Sequence, residues 1–412
     1  MKKLFIYLML FMVCSLKGQS LSDYLEMAAQ NNPKLNSTYK LYLAALERVD
    51  QNGSLPDPTL SFGYFISPVE TQVGAQNMRF SISQMFPWMG TTKVRKQAAT
   101  SLAKVKFEEF QEEKSKLFLT VQKTWLTLYE IDEEIKIYQA NLEILKTYEP
   151  ITKTKYESNL VSLADLVRVQ IQIEEASTAL DLVKLNRKIA LGTFNQLVNR
   201  NLDSEVKTEF VALDSTQFQL ENDSLKMNQP QLKAAKEKVL ALEYQQELAE
   251  LKRKPNIGFG LDYALVSKRN DVSIPDNGKD ILMPMVSVSL PVFGKKNKSL
   301  LNEVKLQKES TELEINAIES RLSNEWRKTD LSAAYSEKQL AQYKSEIDKT
   351  ELLLHVLTSE YSNANSSFEE LLLTQQKLLS LRLAEVKAKV RLQEVNFDKQ
   401  YLSGFHTNPF EP

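Results

Sequence analysis

Glu369 and Glu370 are adjacent carboxylates at the start of a helix-patterned stretch. Acids there favour the positive end of a helix dipole. Repeated around the axis of an oligomer, the same groups would form a narrow ring that attracts cations and repels anions. On these residues alone both readings stay open. His355 and His406 are the only histidines, and neither is spaced with another strong ligand, so no metal site is expected. Met78, Met85, Met89, Met283 and Met285 gather near two strand-patterned regions. Their thioethers suit copper(I) or silver, or simply fill apolar space. Lys93, Arg95 and Lys96, like Lys295, Lys296 and Lys298, follow Pro-x-x-Gly turns, either at a lipid headgroup layer or as solvated helix starts. No nucleophile–base pattern, phosphate loop or metal box occurs, so neither an enzyme nor a cofactor is expected.

Composition limits what can position these groups. Hydrophobic residues make up 42% of the 412-residue chain and charged residues 25%, which argues against disorder. With 11 glycines and 13 prolines the chain is too poor in turn residues for a loop-rich β protein, and Leu, Glu, Lys, Gln and Ala dominate long helical stretches. Lys2 and Lys3 precede an apolar run over Leu4–Val13, which reads as a secretory signal over 1–18, with cleavage after Gly18 or Ser20. The only cysteine, Cys14, lies within it behind Val13, where a lipid anchor would need a small residue. Without Lys2, Lys3 and Lys17 the 52 basic residues become 49 against 53 acidic, a net charge of −4, which argues against nucleic acid. No later apolar run reaches transmembrane-helix length, so a membrane span would have to be made of strands.

The chain repeats itself. Asn31-Asn32-Pro33 recurs as Asn228-Gln229-Pro230, and Pro58, Leu60, Phe62 and Gly63 recur as Pro255, Ile257, Phe259 and Gly260, all at an offset of 197. Pro87 and Gly90 match Pro291 and Gly294 at offset 204, and Tyr156 and Leu166 match Tyr361 and Leu371 at offset 205. The first repeat is expected over 19–198 and the second, with a short tail, over 228–412; residues 199–227 form an equatorial linker. Each repeat predicts a helix (about 22–52 and 229–253), a strand pair (about 58–86 and 256–290), a very long helix (about 91–157 and 295–361), a short tip, and a returning helix (about 163–198 and 367–402).

The strands alternate. Leu60, Phe62, Tyr64 and Ile66, with Ile257, Phe259, Leu261 and Tyr263, form an apolar face; Thr59, Ser61, Gly63, Asn256, Gly258, Gly260 and Asp262 form a small, polar one. A soluble half-buried sheet or a barrel wall between lipid and water would each read this way. Four strands cannot close a barrel, and open edges are not tolerated in lipid, so in a membrane strands must be pooled between chains. The long helices carry heptads: Val121, Leu128, Ile135 and Leu142 beside Ile131, Tyr138 and Leu145, and Leu340, Ile347 and Leu354 beside Tyr343 and Leu357. A 67-residue helix is ~100 Å long, about the sum of the two shorter helices of its repeat stacked end to end.

The tips read Tyr156-Glu-Ser-Asn159-Leu-Val-Ser162-Leu-Ala-Asp165-Leu166 and Tyr361-Ser-Asn-Ala364-Asn-Ser-Ser367-Phe-Glu369-Glu370-Leu371. With the repeated strand pairs, they resemble the TolC-like outer-membrane efflux protein family over essentially the whole mature chain. Asn159 and Ala364 stand where that family has Gly; Asn tolerates a left-handed turn and Ala does so poorly. The resemblance implies a mainly α fold of long α-helical barrel or coiled-coil hairpins, with four transmembrane strands given to a trimeric twelve-stranded barrel. It implies a homotrimer in the outer membrane of a Gram-negative bacterium, in contact with outer-membrane lipid, a periplasmic adaptor (membrane fusion protein) and an inner-membrane pump. It assigns gate or selectivity roles to Tyr361, Glu369, Glu370 and Asp165, with Leu373 and Ser366 where the family has a second acidic ring and a linking arginine. It assigns adaptor docking to the tip residues Asn159, Leu160, Val161, Ser162, Ala364, Asn365, Ser366 and Ser367. Gln84-Met-Phe-Pro-Trp-Met-Gly90 resembles the strand–helix junction of the heavy-metal-efflux branch. The expected function is a gated passive exit duct for small toxic solutes, heavy-metal cations or drugs. The alternatives are a type I protein-secretion duct and a non-pore periplasmic coiled-coil scaffold.

Overall fold

The computed structural model describes residues 20–212, 228–271, 273–362 and 367–404. The expected signal over 1–18, the linker beyond residue 212, the tip residues Ala364, Asn365 and Ser366, and His406 lie outside the described residues. The elements run α1 (Leu21–Asn31), α2 (Pro33–Gly53), β1 (Thr59–Thr71), β2 (Gly74–Phe86), α3 (Thr91–Glu157), α4 (Leu163–Leu197), α5 (Pro230–Leu251), β3 (Asn256–Ser267), β4 (Ile281–Ser289), α6 (Gly294–Ser362) and α7 (Phe368–Ser403). Among the described residues no helix is long and apolar enough to cross a membrane.

One expectation is corrected at once: the helix expected over 22–52 is two helices. Proline disfavours the helical conformation in the residue before it, and Asn32 is extended at φ −67°, ψ 119°. Asn32 then caps α2, its Oδ1 accepting from the Lys34 and Leu35 amides at 3.0 and 3.1 Å. The break is used in both repeats. Asn32 Nδ2 donates to the Leu197 carbonyl at the end of α4 (3.1 Å), and Gln229 Nε2 donates to the Leu402 carbonyl near the end of α7 (2.5 Å). The recurring Asn/Gln-Pro thus starts one helix and satisfies orphan carbonyls of another.

The chain forms two compact units that cut across the repeats. One comprises residues 1–38, 110–230 and 319–412, the other 39–109 and 231–318, so α3 and α6 contribute to both. The core of the first unit is aromatic. Tyr24, Trp125 and Phe194 pack with ring centroids 5.0–5.9 Å apart, all buried. Val121, Leu128, Leu142 and Leu145 of the heptad rows are buried, as are Ile347 and Leu357 in α6. Residues 200–211 are strapped onto this core. Trp125 Nε1 donates to the Glu209 carbonyl (3.1 Å), Arg187 reaches Asp132 (2.6 Å), Glu205 (3.1 Å) and the Val206 carbonyl (3.0 Å), and Lys389 lies 4.1 Å over the Phe210 ring. Arg187 is held charged by Asp132 and Glu205, which outweigh its partial burial.

The second unit holds an antiparallel sheet in the order β1-β2-β3-β4. The β1–β2 connection is two residues, whereas β3–β4 takes the longer loop in which the repeat offset changes. Register places Leu60, Ile82, Leu261 and Pro284 in one row and Phe62, Phe80, Tyr263 and Leu282 in the next, on one face. This face is uncovered in the single chain: Leu60 is 75% exposed, Ile66 91% and Val286 69%. The opposite face carries Ser61, Ser81, Gly258, Gly260 and Asp262, as expected, with one departure. Asp262 is buried and ion-paired with Arg79 rather than solvated. Met85, Met283 and Met285 share this face, because Gly258 and Gly260 leave them room. A Cβ on Gly258 would meet Met85 Cε at 3.3 Å, and one on Gly260 would meet Met285 Cε at 3.4 Å. β1 and β4 each keep one edge without a partner strand among the described residues.

Candidate functional site

The candidate site is built where α3 gives way to α4 and α6 to α7, all within the first unit. Helix α3 ends with Asn159 in the left-handed conformation, φ 57°, which an Asn side chain accepts at little cost. Ser162 then caps α4 in a reciprocal box: Asp165 N donates to Ser162 Oγ (3.2 Å), and Ser162 N donates to Asp165 Oδ2 (3.1 Å). Ser367 caps α7 by accepting from the Glu369 amide (3.2 Å). Asn159, Leu160 and Ser162 are exposed, Leu160 at 62%, and Val161 is half-buried. Of the tip residues singled out in the second copy, only Ser367 is among those described, and it is exposed.

The four proposed gate residues are not equivalent. Tyr361 is buried and stacks on Phe368 at 5.1 Å. Lys155, from the last turn of α3, sits 3.9 Å over the Tyr361 ring and donates to the Tyr361 carbonyl, tying α3 to α6. Burial pushes the Tyr361 phenol above its usual range, the Thr152 hydroxyl opposing the shift and the Asp165 charge adding to it. Asp165 spends one oxygen on the α4 cap and the other on Arg168 (3.3 Å). The same Arg168 Nη1 lies 3.5 Å from Glu369 Oε2. Arg168 therefore brings Asp165 and Glu369 together and offsets much of their charge, at an exposed site where such pairs stabilise by only ~0–1 kcal/mol. Glu370 is exposed and has no ion-pair partner among the described residues.

Lys155 and Arg168 are the residues the sequence reading missed. Arg168 lies three positions after Asp165 on the same helical turn, a spacing that signals an ion pair. Lys155 carried no such signal, because its partners are on α6. What the cluster can do is electrostatic. It presents three carboxylates, Asp165, Glu369 and Glu370, with one guanidinium, Arg168, shared by the first two, together with a buried tyrosine held by a lysine, and among the described residues no group of His, Cys, Asp or Glu could hold a metal ion.

In sequence the chain matches no protein-family model and no curated protein. Its structure is similar to solved ones across nearly its whole length. The outer membrane protein VceC of Vibrio cholerae aligns with a TM-score of 0.78 at 15% identity, covering 93% of this chain and 96% of that one. The outer-membrane channel OprN aligns at 0.81 and 14%, covering 93% and 89%. The CmeC outer membrane channel of Campylobacter jejuni aligns at 0.77 and 16%, covering 94% and 86%. Mainly helical, with four strands among the described residues and this agreement in three dimensions, the chain has the fold of the TolC-like outer-membrane channel proteins.

Proposed function

We propose that this chain is one protomer of a homotrimeric outer-membrane duct, through which small toxic solutes leave the periplasm passively while an adaptor and an inner-membrane pump supply opening and energy. The observation that carries the reading is the sheet. One face is large, apolar and uncovered, the other carries serines, glycines and the Arg79–Asp262 pair with three methionines among them, and two edges lack partner strands among the described residues. In water such a face would drive aggregation. In lipid it is matched, provided both edges are paired by neighbouring chains. The helices support the same assembly. Leu163, Val167, Ile171, Leu182, Leu185 and Ile189 leave an exposed apolar stripe along α4, a face that a second copy would cover.

The membrane claim is checked by fractionation. The expected result is a heat-sensitive trimer in the outer-membrane fraction; a carbonate-extractable monomer would support the non-pore scaffold instead.

In this reading Glu370 forms the gate ring, and Arg168 sets how far Asp165 and Glu369 reinforce it. Reversal potentials in planar bilayers should move toward anions in Glu370→Gln and toward cations in Arg168→Gln. If neither variant moves the potential, the tip carboxylates do not line the conduction path.

A further inference from the structure

A second feature lies far along the sequence from the tips, in the unit that carries the sheet. Where β3 and β4 meet α5 and α6 there is an open cleft of about 620 Å³. Its inner end is formed by Asn256 and Ser289, which pair across β3 and β4. By register both belong to the face that carries Gly258, Gly260 and Asp262, so the cleft opens on the polar side of the sheet and not the lipid-type side.

The walls are basic. Lys252 and Lys254 come from the turn that follows α5, and Lys296 from the first turn of α6; Glu303 is the one carboxylate of the lining. All three lysines are exposed, and none has an ion-pair partner among the described residues. Three other lysines of the same unit are matched across helices, Lys104 with Glu237, Lys238 with Glu314 and Lys308 with Glu243, whereas the three in the cleft share one concavity. The three ammonium groups around one concavity repel one another, a cost that an anion would relieve. Phe293, 75% exposed, adds an aromatic wall beside them. A cleft within the ~300–1,000 Å³ range of small-molecule sites, with a cationic rim and an aromatic side, suits a ligand with an anionic head and an apolar body.

We propose that this cleft is a binding site for amphipathic organic anions, carboxylates, sulfonates or phosphates on an apolar skeleton, held on the polar face of the duct just below the sheet. The placement in a lumen rests on the duct reading of the preceding subsection; the binding itself does not. In a trimer three such clefts would raise the local concentration of anionic solutes at the base of the barrel.

The test uses the full-length protein in nanodiscs of a neutral phospholipid, with empty discs as background and 2-naphthalenesulfonate as the probe. Calorimetry should show saturable binding that weakens with added salt. The triple variant Lys252→Gln, Lys254→Gln, Lys296→Gln should bind at least ~tenfold more weakly, as expected on losing several charge-assisted contacts. All three residues are exposed, so far-UV circular dichroism should show an unchanged helix content. Phe293→Ala should also weaken the probe, and 2-naphthylmethylammonium, the cationic match, should bind poorly. No saturable binding above empty discs, equal binding by the triple variant, or equal binding of the cationic probe each overturns the proposal. Fractionation separates the two readings: a chain absent from the outer membrane removes the duct, whereas a membrane trimer that does not bind the probe removes only the cleft.

Discussion

Leu261→Arg should prevent assembly in the outer membrane, whereas Ser61→Arg should not. Leu261 lies mid-strand in β3, in the row with Leu60, Ile82 and Pro284 on the uncovered apolar face. An arginine on the lipid face near the bilayer midplane costs about 2–4 kcal/mol per chain, and in a trimer the penalty is met three times. Ser61 lies on the opposite face, in the row with Ser81 and Asp262, and is itself exposed, so a guanidinium there would meet the water of a lumen. Both variants add one positive charge per chain within a strand, on opposite faces of the sheet. Quantifying heat-sensitive trimer in the outer-membrane fraction checks the result. A soluble sheet packed on a hidden partner would instead give no trimer in the outer-membrane fraction for either variant or for the unsubstituted chain.

The second large effect lies in the helical unit. Trp125 is 1% exposed between Tyr24 and Phe194, and its indole donates to the Glu209 carbonyl. Trp125→Ala should cost about 3–5 kcal/mol, because the ring fills space that three elements and the strap over 200–211 share. Trp125→Phe keeps the ring and loses the hydrogen bond, so it should cost about 1 kcal/mol. Chemical denaturation followed by circular dichroism gives both values, and limited proteolysis should cut the alanine variant preferentially within 200–212. An alanine variant as stable as the phenylalanine one would show that the strap is not anchored at Trp125.

The course of the chain was legible in its sequence to an unusual depth, and for physical reasons. Heptads need long helices, Pro-x-x-Gly turns punctuate them, and period-two alternation marks strands, so α3 begins and ends where its pattern does. The break at Asn32 was legible too, since Pro33 disfavours a helical conformation at Asn32, but the amphipathic pattern on both sides hid it. Other features lay beyond any linear reading. The compact units cross the repeats, because packing follows which helices lie side by side and not which arose together in sequence. The methionines on the polar face of the sheet make sense only beside Gly258 and Gly260 on a different strand. At the tip, the carboxylates were visible as residue types, whereas their compensation by Arg168 and the Lys155–Tyr361 contact depended on helices brought together by folding.

The gate reading is sharpened by those two residues. From sequence, Asp165, Glu369 and Glu370 stood as one acidic set. In the structure Asp165 is chiefly a helix cap, Glu369 shares Arg168 with it, and Glu370 has no ion-pair partner among the described residues. Adaptor-driven opening would then act on a weak set of contacts: an exposed ion pair shared by two acids, and a lysine resting on a tyrosine ring. Neither needs much energy to rearrange, as the proposed opening of the tip would require.

The central claim is that the unpaired edges of β1 and β4 pair between chains to close a barrel. Cysteine cross-linking tests it directly. In a Cys14→Ser background, Ser61→Cys in β1 is combined in turn with Ile281→Cys, Met283→Cys, Met285→Cys and Ser287→Cys in β4, all on one face of the sheet. Disulfides form only where Cβ atoms come within about 3.5–4.5 Å, so one or two of the four pairs should give a ladder ending at the trimer on non-reducing gels of outer-membrane protein. Monomers for every pair, in protein that has reached the outer membrane, would contradict it.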